Sequence, residues 1–398
     1  MSADYATWRT LARDIPLPAA LVDLPAFEHN GRLITERLTS AVTVRVATKS
    51  LRVPALITRA QALLGPLARG LMTYSAAETA FLADLGFDDF VLAYPVSQPH
   101  EARVLAALAE RRVTVAAMVD HPRHIDLLAP HLSVDSSVTL CLDIDASLHL
   151  LGGRVHLGVR RSPLRTPDDA VALAAYATAR GLRVTAVMSY EAQVAGLRAV
   201  NPGSRHLDPI RHLVRQRSKP VVAERRRQVV AALRRAGHPV ALVNGGGTGS
   251  LDSTAADGSV TEVTVGSGFL APHLFDHLAH LPLTPAAFFL LPVSRFPAAD
   301  VVTAFSGGFI ASGPPAADRA PQIVAPTGLA PLSAEGFGEV QTPLAHTSTL
   351  GLGDPIVCRH AKAGELFERF NDVHLVDVAR ASHLGTVPTY RGAGKAFG

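Results

Sequence analysis

The sequence predicts an α/β chain in two parts, a (β/α)8 barrel followed by a smaller, mainly β domain. Three observations predict it. Strand-like runs alternate eight times with helix-like ones over about 250 residues, the pattern of parallel strands joined by helices. Polar and glycine-rich residues fall just past those runs, where one rim of a barrel would lie. After about Leu283 helical periodicity fades into short strand-like runs among Gly- and Pro-rich turns. The expected division is a barrel over residues 25–285 and a β domain over 286–398, joined by the N-terminal segment 1–24.

Taken in order, residues 1–24 give a polar, helix-like start and then the apolar run Ala19-Ala20-Leu21-Val22. Asp23 can cap the helix that follows, with Pro25 in its first turn. The barrel strands are expected at Val42–Ala47, Leu71–Thr73, Phe90–Ala93, Val113–Val119, Val138–Asp145, Arg183–Tyr190, Val240–Asn244 and Val260–Val265. Helices are expected between them, among others at Ala76–Leu85, Glu101–Glu110, Asp168–Arg180 and Ala223–Ala236. In the second part Val301–Phe305, Pro355–Arg359 and Val373–Val376 read as strands, and Ala311–Ala330 reads as a loop.

Composition narrows the function. The chain has 398 residues, 48% of them hydrophobic, enough for two cores. Lysine and arginine (38) barely exceed aspartate and glutamate (34), and the basic residues are scattered. The run Arg225-Arg226-Arg227 reads as a solvated helix face without interleaved aromatics, so a nucleic-acid partner is not expected. The two cysteines, Cys141 and Cys358, form no CxxC pair and give neither a zinc knuckle nor a disulfide framework. With no apolar run long enough to span a bilayer and no signal-like N-terminus, a cytoplasmic location is expected.

The chemistry centres on Val44-Arg45-Val46-Ala47-Thr48-Lys49-Ser50, a β-branched strand that ends on a lysine. A lysine at a strand lip can condense with an aldehyde; the plainer reading is a solvated strand end. Past the other strands stand Asp143 and Asp145, then Tyr190 and Glu191, then Asn244-Gly245-Gly246-Gly247-Thr248-Gly249-Ser250, and last Gly266-Ser267-Gly268. In a barrel the loops after the seventh and eighth strands are the usual phosphate site, because glycines let backbone N–H groups close on an anion. Lysine, phosphate cradle and barrel together suggest pyridoxal 5′-phosphate (PLP).

Here the chain resembles the fold-type III PLP enzymes with an alanine racemase-like barrel, in the branch of D-threonine aldolase, D-serine dehydratase and 3-hydroxyaspartate-cleaving enzymes. The likeness runs through Ala47-Thr48-Lys49-Ser50, Leu157-Gly158-Val159-Arg160, Ser189-Tyr190-Glu191, Gly246-Gly247-Thr248-Gly249 and the block from Gly353-Asp354 to Val376. The resemblance implies that Lys49 holds PLP as a Schiff base and that Arg160 lies near the cofactor O3′. It further implies Tyr190 beside the ring, Gly247, Thr248, Gly249, Gly266 and Ser267 at the phosphate, and a homodimer whose partner completes the active site. Arg160 and Arg161 can equally be read as solvated arginines.

In metal-using relatives a His-x-Cys or His-x-Asp pair holds a divalent ion that polarises the substrate β-hydroxyl. This chain reads His360-Ala361-Lys362, and an ammonium offers no lone pair to a metal, which puts the metal in doubt unless Glu365 or His374 completes the site. The expectation is that Lys362 supplies that positive charge and His360 serves as base. The function expected is a PLP-dependent lyase that cleaves β-hydroxy-α-amino acids of D-configuration to an aldehyde and a glycine-type amino acid. The runner-up is a dehydratase of D-serine or another 3-hydroxyamino acid; a racemase and a non-catalytic PLP-binding protein follow.

Overall fold

The computed structural model describes the whole chain except residues 1–2, 39–41, 151–153, 196–207, 279, 315, 347–348 and 398. Its strands are β1 (Ala19–Asp23), β2 (Thr43–Ala47), β3 (Ala68–Thr73), β4 (Phe90–Leu92), β5 (Val115–Val119), β6 (Val138–Asp143), β7 (Leu148–Leu150), β8 (Val155–Leu157), β9 (Val184–Ser189), β10 (Leu242–Gly245) and β11 (Glu262–Val265). There follow β12 (Ala287–Ala298), β13 (Val301–Phe305), β14 (Gln322–Ala325), β15 (Ala330–Pro331), β16 (Gln341–Ala345), β17 (Pro355–Arg359), β18 (Asp372–Asp377) and β19 (Ser382–Pro388). Residues 1–34, 50–63 and 267–396 form one compact unit; residues 35–49, 64–266 and 397–398 form the other.

The second of these holds a closed parallel barrel in the order β2-β3-β4-β5-β6-β9-β10-β11, so each of the eight expected barrel strands is present. Val91, Ala116, Met118, Cys141, Ala186 and Met188 pack together inside it. Cys141 is therefore a core residue, its thiol pushed well up by burial and by the charge of Asp143. Where the ring closes between β11 and β2, polar residues replace apolar ones. Arg45 Nε donates to Glu262 Oε1 at 2.6 Å, and Asn244 Nδ2 donates to the same oxygen at 2.7 Å. Both partners of the ion pair are buried, with side chains 2% and 1% exposed.

Two local expectations are corrected, and one element stands where none was expected. Between β6 and the helix Pro167–Thr178 the chain inserts a two-stranded hairpin, β7 on β8, whose short runs carry no alternation to betray them. The helix expected from Ala223 begins at Asp208, because Pro220 sits within it rather than ending it. Inside the stretch 311–330, expected to be a loop, β14 pairs antiparallel with β17.

The other unit carries a nine-stranded sheet, ordered β15-β16-β13-β12-β1-β18-β19, with β17 bonded to β12 and β14. Here β1 lies between β12, antiparallel, and β18, parallel. Trp8, Leu11, Leu21, Phe288, Leu290, Val357 and Val376 form its core, with the Trp8 and Phe288 rings edge to face at 5.0 Å. Among the described residues no helix is long and apolar enough to cross a membrane.

Candidate active site

Lys49 stands in a single tight turn, Thr48–Ser50, that takes the chain off the end of β2. The turn is pinned by the Thr48 hydroxyl, which donates to the Met72 carbonyl at 2.9 Å. Thr48 and Ser50 are buried and Lys49 is exposed, so the turn presents one amine at the barrel mouth. That amine donates to the Tyr94 hydroxyl at 3.2 Å and lies 5.7 Å from the ring centre. The Arg161 guanidinium covers the same ring at 5.6 Å and the Tyr190 ring at 5.0 Å. A Cβ added to Gly247 would lie 3.3 Å from the Tyr190 ring. Lys49, Tyr94, Arg161, Tyr190 and Gly247 thus form a continuous line across the C-terminal rim.

Charge follows this line. Burial favours the neutral phenol of Tyr94, but the charges of Lys49 and Arg161 and the hydrogen bond from Lys49 outweigh it and bring the hydroxyl below its ordinary value. Tyr190 shifts the other way, raised by burial against the opposing charge of Arg161. Asp143, 6% exposed at the end of β6, is raised by burial to about 7, with Arg161 opposing and Asp120 and Asp145 adding to the rise. A carboxyl so placed holds or releases a proton near neutrality.

The glycine turn after β10 rests on a buried network. Glu191 accepts the Gly246 N–H at 3.2 Å, the Thr254 hydroxyl, and Arg226 Nη2 at 3.3 Å. Arg226 also donates to Asp257 at 2.6 Å and to the Ser189 carbonyl at 3.3 Å. Gly246 takes φ +81°, a conformation that costs other residues strain. The Gly247 N–H is met by the Ser250 hydroxyl at 3.2 Å, which leaves less of this turn to a ligand than the glycine count suggested.

Of the residues expected from sequence, Lys49, Tyr190 and Gly247 come together on this rim. Arg160 is exposed, and it is its neighbour Arg161 that covers the two tyrosine rings. Tyr94 was missed, since a lone tyrosine after a three-residue strand gives no pattern. Arg226 was misread: it is buried, and among Arg225, Arg226 and Arg227 only Arg227 is exposed. Thr248 and Gly249 lie in the buried turn, where a Cβ on Gly249 would fall 2.0 Å from the Ala195 carbonyl oxygen. Gly266 ends the barrel unit, and Ser267, in the other, has its hydroxyl 3.0 Å from that of Ser50.

In that other unit His360 is 3% exposed, and among the described residues neither ring nitrogen has a hydrogen-bond partner. Burial, with Arg359 and His273 adding, pushes its pKa down to about 3; the Ala287 main chain opposes this without reaching bonding geometry at the ring. Lys362 Nζ donates to the Ser312 hydroxyl at 2.8 Å and its carbonyl at 3.2 Å, and lies 3.8 Å from Glu365. His374 faces His383 at 3.1 Å. Among the described residues no three histidine, cysteine, aspartate or glutamate side chains gather as metal ligands, and an ammonium two residues from His360 adds no lone pair. These residues do not fit a divalent ion.

Residues 22–269 match the family model described as the alanine racemase N-terminal domain. No curated protein sequence matches the chain. Among solved structures it is similar to D-threonine aldolase from Filomicrobium marinum, at 22% identity and a TM-score of 0.77 over 96% of this chain and 97% of that one. It is also similar to D-threo-3-hydroxyaspartate dehydratase from Delftia sp. HT23, at 18% identity and 0.71 over 96% and 98%. Alanine racemase from Bacillus anthracis follows at 14% identity and 0.61 over 94% and 98%. The barrel, the lysine at the mouth of its first strand and the glycine turn on the same rim agree with that match, and the chain belongs to the alanine racemase N-terminal domain family, within the fold-type III enzymes.

Proposed function

We propose that the protein is a PLP-dependent lyase acting on β-hydroxy-α-amino acids of D-configuration, cleaving Cα–Cβ to an aldehyde and a glycine-type amino acid. The observation that carries this reading is the line from Lys49 through Tyr94, Arg161 and Tyr190 to Gly247. PLP needs an amine, a flat wall for its ring and a phosphate cradle free of side chains. Lys49 offers the first, Tyr190 the second, and the glycine turn the third, with Gly247 packed on the Tyr190 ring and Gly249 on the Ala195 carbonyl. These residues fit the cofactor. When bound, PLP supplies an electron sink for the carbanion left at Cα.

The chain's own residues do the remaining work on this reading. Lys49 would hold the cofactor through its amine, and Tyr94, its hydroxyl lowered by two cations and hydrogen-bonded to that amine, would take and return the proton at Lys49 Nζ. Arg161, exposed and with its guanidinium over both rings, is placed to meet an anion on this rim. His360 is the proposed base for the β-hydroxyl proton; at 3% exposure and with a pKa of about 3, it can take that proton only once its ring is uncovered and its basicity restored. Lys362 stabilises the negative charge that forms on that oxygen. A homodimer, with the partner's β domain completing the site, belongs to the same proposal.

The test is to load the protein with PLP, incubate it with D- and L-threonine, serine and 3-hydroxyaspartate, and assay separately for aldehyde, glycine and 2-oxo acid. Glycine with aldehyde from the D-substrates is the expected result. A 2-oxo acid with ammonia would replace cleavage by dehydration, and no turnover would overturn the lyase reading.

A further inference from the structure

The buried arginine at the base of the glycine turn has no place in the chemistry above, yet the structure spends much on it. Arg226 lies on the long helix Asp208–Arg235, 2% exposed, between Glu191 and Asp257. A charge so deep is tolerated only when its partners are held in good geometry. Its Nη2 would sit 3.0 Å from a Cβ at Gly245, so its guanidinium touches the backbone of the turn. Glu191 carries the contact onward. It takes the Gly246 N–H on one oxygen, the oxygen that also accepts from Arg226, and the Thr254 hydroxyl on the other.

Across the turn, Gly247 lies against Tyr190 and Gly249 against the Ala195 carbonyl. The backbone of residues 245–249 is therefore caught between two fixed walls. Because Glu191 consumes the Gly246 N–H, that amide is not a ligand donor; it is an anchor that orients the donors after it.

We infer that Arg226, acting through Glu191, is a positioning residue that sets the Asn244–Ser250 turn in a phosphate-accepting conformation. This rests on the PLP reading above. A turn preset in this way meets a phosphate without ordering its own backbone at the moment of binding. The guanidinium fork matters as well as the charge, because it serves Glu191, Asp257 and Ser189 at once.

The test compares PLP with pyridoxal, which lacks the phosphate, by visible absorbance titration of wild type, Arg226→Lys and Thr254→Val, with circular dichroism and melting temperature recorded alongside. Wild type is expected to prefer PLP. Arg226→Lys is expected to lose about tenfold in PLP affinity, a change of about 1.4 kcal/mol, with pyridoxal affinity held to within about twofold. Thr254→Val, which removes one Glu191 contact and leaves the ion pairs in place, is expected to shift the ratio the same way by less. It carries the comparison alone if Arg226→Lys does not fold. Unchanged PLP-to-pyridoxal ratios in the variants, or equal loss of both ligands, would overturn the positioning role while leaving PLP binding intact. A wild type that binds neither ligand, or both equally, would overturn that role together with the cofactor reading.

Discussion

Replacing Asp143 by asparagine should stabilise the protein, and more at high pH than at low. The carboxyl is raised by burial from its ordinary 3.8 to about 7. Between those values the native state keeps the proton and the unfolded chain has released it. Wild-type stability therefore falls as pH rises across that window, by about 1.4 kcal/mol per pH unit, and is level with respect to this group above about 7. Over the full window the loss is about 4 kcal/mol; from about pH 5.5 upward it is about 2 kcal/mol. Asparagine occupies the same space without a titrating proton. Urea unfolding of wild type and Asp143→Asn at about pH 5.5 and about pH 8 measures the difference directly. The advantage of the variant should grow by about 2 kcal/mol between the two conditions. An advantage equal at both pH values, or one that shrinks as pH rises, would refute the claim that the native carboxyl holds a proton that the unfolded one does not.

Glu262→Ala removes one of the two carboxylates on the buried Arg45 guanidinium, leaving Asp89, and should cost about 3 kcal/mol in chemical denaturation, with Glu262→Gln costing less. Lys49→Ala should abolish both the visible absorbance of the PLP-loaded protein and the borohydride-fixed adduct seen by mass spectrometry. His360 has a native pKa of about 3 against an ordinary 6.5, so the unfolded chain takes up a proton that the native state refuses. Stability should be fully present above about 6.5 and fall by about 1.4 kcal/mol per pH unit below it; His360→Phe should flatten that fall.

How far the sequence could be read depended on whether the signal was local. The eight barrel strands were legible because β-branched runs separated by helix-length segments have one economical arrangement. Lys49 and the glycine turn were legible because strand ends place them on one rim. Two adjacent arginines, by contrast, differ only in which way a loop turns, and nothing in Arg160-Arg161 says that the second meets the tyrosines. Arg226 sat in a basic run that looked solvated; its burial is decided by Glu191 and Asp257, 35 and 31 residues away. Pro220 hid the first half of its helix, since proline inside a helix is the exception that pattern reading discounts.

Strand β1 occupies the middle of a sheet whose other members all come from beyond residue 286. During synthesis this early segment, Leu21 and Val22 included, emerges with neither neighbour available and must wait while more than 250 intervening residues are made. Its apolar edges are exposed to chaperones and to stray pairing throughout that interval. Strand β18, made more than 80 residues after β12 starts, is the last of its two neighbours to arrive, so closure of this sheet is a late event in the life of the nascent chain.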